Sequence, residues 1–163
     1  MAENQGKERP VLSISLLVSN RIDTIRKCME SLRPLMEAVR SELIAVDTGG
    51  TDGSIEVVRE YTDNIVEFQW CDDFAAARNA GLQLASGEWF LFLDDDEWFE
   101  DTREIEDFFL TGEYRNYASA QYLVRNYAVS GGCADAYVSR LCRLNDKVRF
   151  AGCIHEYLKI EKG

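Results

Sequence analysis

Short apolar runs alternate with helix-like segments over residues 11–93 of the chain. The apolar runs are VLSISLLV (11–18), LIAV (43–46), NIVEFQW (64–70) and EWFLFL (88–93). Short runs of this length, which would present apolar residues on both faces of a strand, are typical of strands buried within a parallel sheet. Between them, helical spacing extends from Ile22 to about Met36, and further helices are predicted at about 54–61 and at 73–85, the last capped by Asp73. The alternation predicts an α/β fold in which helices cover both faces of a mostly parallel central sheet.

The pattern changes beyond Phe109. The segments SAQYLVRNYAV (119–129) and AYVSRLCRL (136–144) alternate and flank a turn that contains two glycines, as in a β-hairpin. This predicts a mixed or antiparallel C-terminal part. Residues 1–10 are expected to be a disordered lead that ends at Pro10. The remaining residues, 11–163, are predicted to form a single domain that is truncated at its C-terminus, because 163 residues bury one sizeable core.

The charge balance restricts the partners. A formal net charge of −11 does not suit a surface that follows a phosphate backbone, so nucleic acid is excluded as a partner. An acidic protein that binds an anionic ligand needs a local positive group, and a divalent cation held by carboxylates would supply one. The five cysteines lack a C-x-x-C pair and are expected to be free thiols, and no apolar stretch approaches the ~20 residues of a transmembrane segment. A cytoplasmic location is therefore expected.

Polar residues follow three of the predicted strands. They are Ser19 and Asn20, then Asp47 and Thr48, and finally the acids from Asp94 to Glu97. Ligands of open α/β sheets bind beyond the carboxyl ends of the strands, so these side chains should converge on one nucleotide site. Each polar group alone could equally be a turn or cap residue, and it is their coincidence that predicts a site.

The segment FLFLDDDEWF (90–99) places four consecutive acids between two hydrophobic stretches. Repulsion among them would be costly without a cation, and their hard oxygen ligands favour Mg²⁺ or Mn²⁺. The alternative is a solvated helix N-terminus, where the helix dipole favours acidic residues. Taken alone, the run supports the two interpretations about equally.

Four further side chains are candidates for the same site. Asp47 could accept hydrogen bonds from a base or ribose, or could form an Asx turn. Arg78 lies on the helix that begins after Asp73 and could contact base or diphosphate, or could form a surface salt bridge. His155, the only histidine, could complete a metal's coordination or be a structural side chain, and Glu156 could deprotonate an acceptor hydroxyl.

Three segments resemble family 2 glycosyltransferases. They are ELIAVDTGGTDGS (42–54), DDFAAARNAGLQLASGEWFLFLDDDEWF (72–99) and RFAGCIHE (149–156). The likeness runs from Ser13 to about Glu156 and is closest to the bacterial branch that is often fused to tetratricopeptide repeats. It implies a Rossmann-like glycosyltransferase-A fold and an inverting, metal-assisted transfer from a nucleoside diphosphate sugar, with a UDP-sugar favoured. The acceptor would be a glycan, a lipid-linked sugar or a protein.

The resemblance also implies roles for individual residues. It assigns Asp47 to the base, Asp94 to the ribose and Arg78 to the nucleotide. Asp94, Asp95 and Asp96 form a D-x-D motif, in which Asp95 is the variable middle position and Asp96 would bind a metal, Mn²⁺ or Mg²⁺. His155 is assigned to the metal or the diphosphate. One departure concerns the first strand, which is followed by Ser19-Asn20-Arg21 where close relatives often have an asparagine–glutamate pair.

Two other functions compete with glycosyl transfer. A non-catalytic nucleotide-sugar-binding module would retain the pocket without a competent acceptor half, and the short C-terminus favours it modestly. A metal-dependent nucleotidyltransferase would require a glycine-rich phosphate loop after the first strand, and SNRIDT (19–24) contains no glycine.

Overall fold

The computed structural model describes residues 8–128 and 131–160, in which a six-stranded sheet lies between two helical layers. The predicted lead falls partly on residues 1–7, outside the described ranges. The strands are β1 (Leu12–Val18), β2 (Ser41–Asp47), β3 (Ile65–Glu67), β4 (Trp89–Asp94), β5 (Ser119–Tyr127), β6 (Cys133–Arg143), β7 (Val148–Ala151) and β8 (Tyr157–Ile160). The helices are α1 (Ile22–Ala38), α2 (Ser54–Arg59), α3 (Phe74–Leu84) and α4 (Arg103–Leu110).

The sheet order is β3-β2-β1-β4-β6-β5, with a separate pair β7-β8. Strands β1 to β4 are parallel, whereas β6 runs antiparallel to β4 and to β5. The predicted mostly parallel sheet with an antiparallel C-terminal part is therefore confirmed.

Both faces of the sheet are covered, as the apolar runs predicted. All seven residues of β1 are buried, and its alternate residues Leu12, Ile14, Leu16 and Val18 join the core that contains α1, α2 and α4. The opposite face packs against α3, whose small residues allow close approach. A Cβ atom at Gly81 would lie only 2.4 Å from the Oγ atom of Ser15 in β1.

The predicted strand at 64–70 is shorter in the structure, where β3 comprises Ile65–Glu67. Its neighbour β2 ends at Asp47, which pairs with Glu67, so residues beyond Phe68 have no strand to pair with. Helix α4 and strand β8 were not predicted as elements. Within the described ranges, no helix has the length and apolar character needed to cross a membrane.

Candidate functional site

The three predicted ligand-facing strand ends lie side by side. In the parallel register, Val18 of β1 is opposite Asp47 of β2, and Leu17 is opposite Asp94 of β4. Ser19, Asp47 and Asp94 therefore occupy neighbouring positions at the carboxyl edge of the sheet, where open α/β folds bind their ligands.

Asp95 connects the loop after β1 to the end of β4. Its Oδ2 atom accepts hydrogen bonds from the backbone N–H of Ser19 (2.6 Å) and from the Ser19 hydroxyl (3.1 Å), and its carbonyl oxygen accepts one from Thr24 (3.0 Å). The residue is only 6% exposed. Burial raises the pKa of the Asp95 carboxyl, although the two hydrogen bonds from Ser19 act in the opposite direction. Asp95 thus holds Ser19 in place, a contact that the sequence did not reveal.

The glycine-containing loop after β2 is fixed against the loop after β1. The hydroxyl and the N–H of Thr48 both donate to the carbonyl oxygen of Val18, and the N–H of Thr51 donates to Oδ1 of Asn20 (2.7 Å). A Cβ atom at Gly50 would lie 2.6 Å from the carbonyl oxygen of Ser19, so glycine is required there by the close backbone approach.

Asp47 forms the Asx turn that the sequence offered as an alternative to ligand binding. Its Oδ1 atom accepts a hydrogen bond from the N–H of Gly49 (2.9 Å). The turn engages one carboxylate oxygen at the edge of the sheet, and the proposed contact with a base stays a prediction.

Arg78 is buried within the site, which excludes the surface salt bridge considered from the sequence. Its side chain is 1% exposed, and three of its nitrogen atoms have partners. Nη1 donates to the carbonyl oxygen of Leu93 (2.7 Å), Nη2 donates to the Asp94 carboxylate, and Nε donates to Oε1 of Glu156 (3.2 Å). The structure therefore brings together three predicted site residues, Arg78, Asp94 and Glu156.

A second arginine, Arg140, completes this cluster and was not predicted. Its Nη2 atom lies 3.3 Å from Oδ2 of Asp94 and 2.8 Å from Oε1 of Glu97. Both guanidinium groups also lie against Phe92, at 5.1 Å from the ring centroid for Arg78 and 4.9 Å for Arg140. Arginines near an aromatic face gain cation–π attraction in addition to their ion pairs.

Arg140 lies at an irregularity in the β5–β6 pairing. Ala120 pairs with Leu141 and Tyr122 with Val138, so Gln121 is opposed by two residues, Ser139 and Arg140. A bulge of this kind locally re-aims side chains and often occurs near active sites. The bulge depends on the register between two distant strands, which explains why the sequence alone gave no signal for Arg140.

Glu97 accepts hydrogen bonds from both Asp94 and Arg140. Its Oε2 atom accepts a hydrogen bond from the N–H of Asp94 (3.0 Å), and its Oε1 atom pairs with Arg140. Burial raises the pKa of the Glu97 carboxyl, whereas the positive charge of Arg140 lowers it. The cluster of Arg78, Arg140, Asp94, Glu97 and Glu156 therefore contains two positive groups and three carboxyl groups.

The two predicted metal ligands are both exposed. Asp96 lies at the mouth of the site, with its Oδ2 atom 3.4 Å from Nε of Arg21. His155 has a left-handed backbone conformation, with φ of 56°. Within the described ranges, no group of three or more histidine, cysteine, aspartate or glutamate side chains is arranged to hold a metal ion. Metal binding by Asp96 and His155 stays a prediction.

The chain is similar to several known proteins. The model of the family described as Glycosyl transferase family 2 matches residues 13–128. A TPR repeat-containing protein of Synechococcus elongatus is 28% identical over 157 residues, which cover 93% of this chain and 36% of that protein. The Escherichia coli protein WfaP, named UDP-Glc:alpha-D-GlcNAc-diphosphoundecaprenol beta-1,3-glucosyltransferase, is 27% identical over 133 residues, or 74% of this chain and 50% of that protein. The chain thus spans between a third and a half of the length of these two relatives.

Among solved structures, a crystal structure of S. aureus TarS matches with a TM-score of 0.56 and 22% identity, covering 74% of this chain and 37% of that one. At this identity the match concerns the fold alone, and it confirms the predicted glycosyltransferase-A fold. The family match covers most of the chain, and its range, residues 13–128, includes Ser19, Asp47, Arg78 and the acids Asp94–Asp96. The chain belongs to glycosyltransferase family 2.

Proposed function

We propose that this domain transfers a glycosyl group, with inversion, from a nucleoside diphosphate sugar to an acceptor hydroxyl. The observation that carries the proposal is the convergence of Ser19, Asp47, Arg78 and Asp94–Asp96 at one edge of the sheet in a family 2 chain. A UDP-sugar is the favoured donor, and the UDP-Glc in the name of the relative WfaP supports this choice.

The proposed binding roles follow from the position of each group. Asp47 contacts the base and Asp94 the ribose. The loop that contains Ser19, which Asp95 holds in place, lies between them because β1 lies between β2 and β4. Arg78 and Arg140 are the cationic groups of the cluster and are placed on the diphosphate side of the site, where a bound cation would offset the remaining negative charge of the carboxylates. Because both arginines hold Asp94 already, the ligand would enter a charged, preorganised site.

A divalent cation is proposed to bind at the exposed carboxylate of Asp96. Mg²⁺ usually takes one or two protein carboxylates and completes its shell with waters and substrate phosphates, so it does not require a cage of protein ligands. The exposed carboxylate of Asp96 meets that requirement, and His155 is the second candidate ligand. When bound, Mn²⁺ or Mg²⁺ neutralises the charge that develops on the diphosphate leaving group.

Glu156 is the proposed general base. It lies beside Arg78, within the cluster that contains Asp94, and its Oε1 atom accepts from Arg78 Nε. In the proposed step, the acceptor hydroxyl gives its proton to Glu156 as its oxygen bonds to the anomeric carbon, and the bond from that carbon to the diphosphate breaks. The acceptor would be a glycan, a lipid-linked sugar or a protein.

Nucleotide and metal binding test the proposal together. UDP with Mn²⁺ should stabilise the chain, by about 2.7 kcal/mol when UDP is present at 100 times its Kd. Asp96→Asn should lose the Mn²⁺-dependent part of this stabilisation, whereas Asp63→Asn, which changes an exposed aspartate elsewhere, should retain it. Metal-dependent binding that persists in Asp96→Asn would contradict the role of Asp96.

Turnover separates an enzyme from a binding module. The wild type should release the nucleoside diphosphate from UDP-glucose or from another member of a panel of UDP- and GDP-sugars. This release should be strongly reduced in Glu156→Gln. Proton NMR of the product should show the anomeric configuration opposite to that of the donor. Binding without diphosphate release across the panel would instead favour the non-catalytic module.

A further inference from the structure

An exposed aromatic pair, Trp70 and Phe74, lies at the same edge of the sheet as the proposed nucleotide site. Their ring centroids are 4.8 Å apart, with an interplanar angle of 74°. Trp70 is 38% exposed and Phe74 40% exposed. In the part of the chain that the structure describes, this is the one aromatic ring contact in which both partners are exposed.

The backbone that leads to Trp70 is hydrogen-bonded to Asp47. Phe68, at the end of β3, packs on the small cluster of Leu17, Val46 and Ala77, and its N–H donates to the carbonyl oxygen of Asp47 (2.8 Å). Trp70 follows Phe68 by two residues. Because the chain extends at most ~3.6 Å per residue, the backbone of Trp70 lies within about 7 Å of that of Phe68.

Phe74 connects the pair to the arginine cluster. It is the first residue of α3 and precedes Arg78 by four positions, so the two side chains share one face of the helix, one turn apart. The N–H of Phe74 also donates to the carbonyl oxygen of Cys153 (3.1 Å), which ties α3 to the loop that carries Glu156. The aromatic pair is therefore connected to Asp47 through the backbone before Trp70, and to Arg78 through helix α3.

The indole of Trp70 is held in a defined orientation. Its Nε1 atom donates to Oδ1 of Asp72 (3.0 Å), and Asp72 adopts a left-handed backbone with φ of 58°. A non-glycine residue in this conformation carries strain, and such strain tends to persist where the surrounding structure serves a function. An exposed tryptophan that is oriented in this way offers a preorganised ring face.

The loops after the neighbouring strands β1 and β2 offer no aromatic ring. The loop after β1 reads Ser19-Asn20-Arg21, and the loop after β2 reads TGGTDG (48–53), neither of which contains an aromatic residue. Trp98, after β4, is already covered by Lys27, whose Nζ atom is 3.6 Å from the ring centroid.

We propose that Trp70, supported by Phe74, stacks on the nucleobase of the donor and so contributes to nucleotide affinity. The inference rests on the proposed function, because it takes a nucleoside diphosphate as the ligand. Stacking of a base on an aromatic side chain contributes about 1–3 kcal/mol and tolerates different bases, since every base has a π-face. Base identity would then depend on Asp47, and affinity on Trp70.

Isothermal titration with UDP and with inorganic pyrophosphate, both in the presence of Mn²⁺, tests the inference. Trp70→Ala should weaken UDP binding roughly 5- to 150-fold. Pyrophosphate has no base, so its affinity should change less than about twofold. Trp70→Phe retains a ring and should keep most of the UDP affinity, while Tyr117→Ala, which removes an exposed ring elsewhere, should keep all of it.

The outcomes separate this inference from the proposed function. Equal UDP affinity in Trp70→Ala and the wild type would overturn the stacking role, as would an equal loss for UDP and pyrophosphate. A wild type that binds neither UDP nor GDP would overturn the proposed function itself, and the stacking inference with it. An unchanged urea unfolding midpoint for Trp70→Ala would show that a selective loss of UDP affinity comes from the missing ring.

Discussion

Three adjacent aspartates at the end of β4 have three different surroundings. Asp94 is held by Arg78 and Arg140, Asp95 is buried beneath the loop that contains Ser19, and Asp96 is exposed near Arg21. Successive residues at a strand end point in different directions, so neighbours in sequence need not share a task. The repulsion expected within the run is therefore relieved partly by arginines and by backbone N–H donors.

Asp95→Ala tests the structural role of the middle aspartate. Removing the carboxylate leaves the N–H and hydroxyl of Ser19 without their acceptor, and a hydrogen bond to a charged group contributes about 1.5–3 kcal/mol. We expect the free energy of unfolding, measured in urea, to fall by about 2 kcal/mol. Asp63→Ala, at an exposed position, should change it by less than about 0.5 kcal/mol. An Asp95→Ala variant as stable as the wild type would show that Asp95 does not anchor this loop.

For individual residues, the sequence predicted the location of the site more successfully than it predicted the contacts of each side chain. Ser19, Asp47 and Asp94 could be placed together because parallel strands end at the same edge. The partners of Asp95 and the presence of Arg140 depend on loop paths and on a bulge, which arise from tertiary packing and leave no local pattern.

Helix α3 organises much of the site. Its N-cap is Asp73, whose Oδ1 atom accepts from the N–H of Ala76 (2.9 Å), as the sequence predicted. The same helix carries Phe74 at its start and the buried Arg78 one turn later. Small alanine and glycine residues on its inner face let it approach β1 and β2 closely enough for Arg78 to reach the end of β4.

Asp73→Ala should destabilise the protein by about 1 kcal/mol, because the first turn of α3 loses the acceptor for one of its unpaired N–H groups. Asp73→Asn should retain most of the stability, since asparagine caps helices about as well as aspartate. Urea unfolding of the two variants gives the comparison. If both lost the same free energy, the charge of Asp73 or its contact with Cys153, rather than the cap, would be responsible.

The elements that the sequence missed are those with weak local signals. Helix α4 has eight residues, of which only Phe109 is buried, and β8 has four residues. By contrast, β1, β2 and β4 were found readily because most of their residues are apolar and buried. The length of β3 could not be predicted, since it is limited by where its partner β2 ends.

Across the whole molecule, the five cysteine thiols fall into two classes according to their solvent exposure. Cys71, Cys133 and Cys153 are exposed, whereas Cys28 and Cys142 are buried, and burial raises the pKa of each buried thiol to about 12. Thiolate is the reactive form, so the buried pair should be unreactive in the folded protein. At pH 8, Ellman's reagent should modify three thiols rapidly in the native state and five after denaturation in urea. A fourth rapid thiol in the native protein would contradict the burial of Cys28 or Cys142.

The position of β1 in the sheet has a kinetic consequence. β1 pairs on one side with β2, which follows it after one helix, but on the other side with β4, which is far along the chain. Closing such a long loop costs entropy before the pairing contributes any stability, so the β1–β4 contact is expected to form late in refolding. Asp95 can reach Ser19 only after this contact exists, and nucleotide binding should therefore recover no earlier than the final refolding phase.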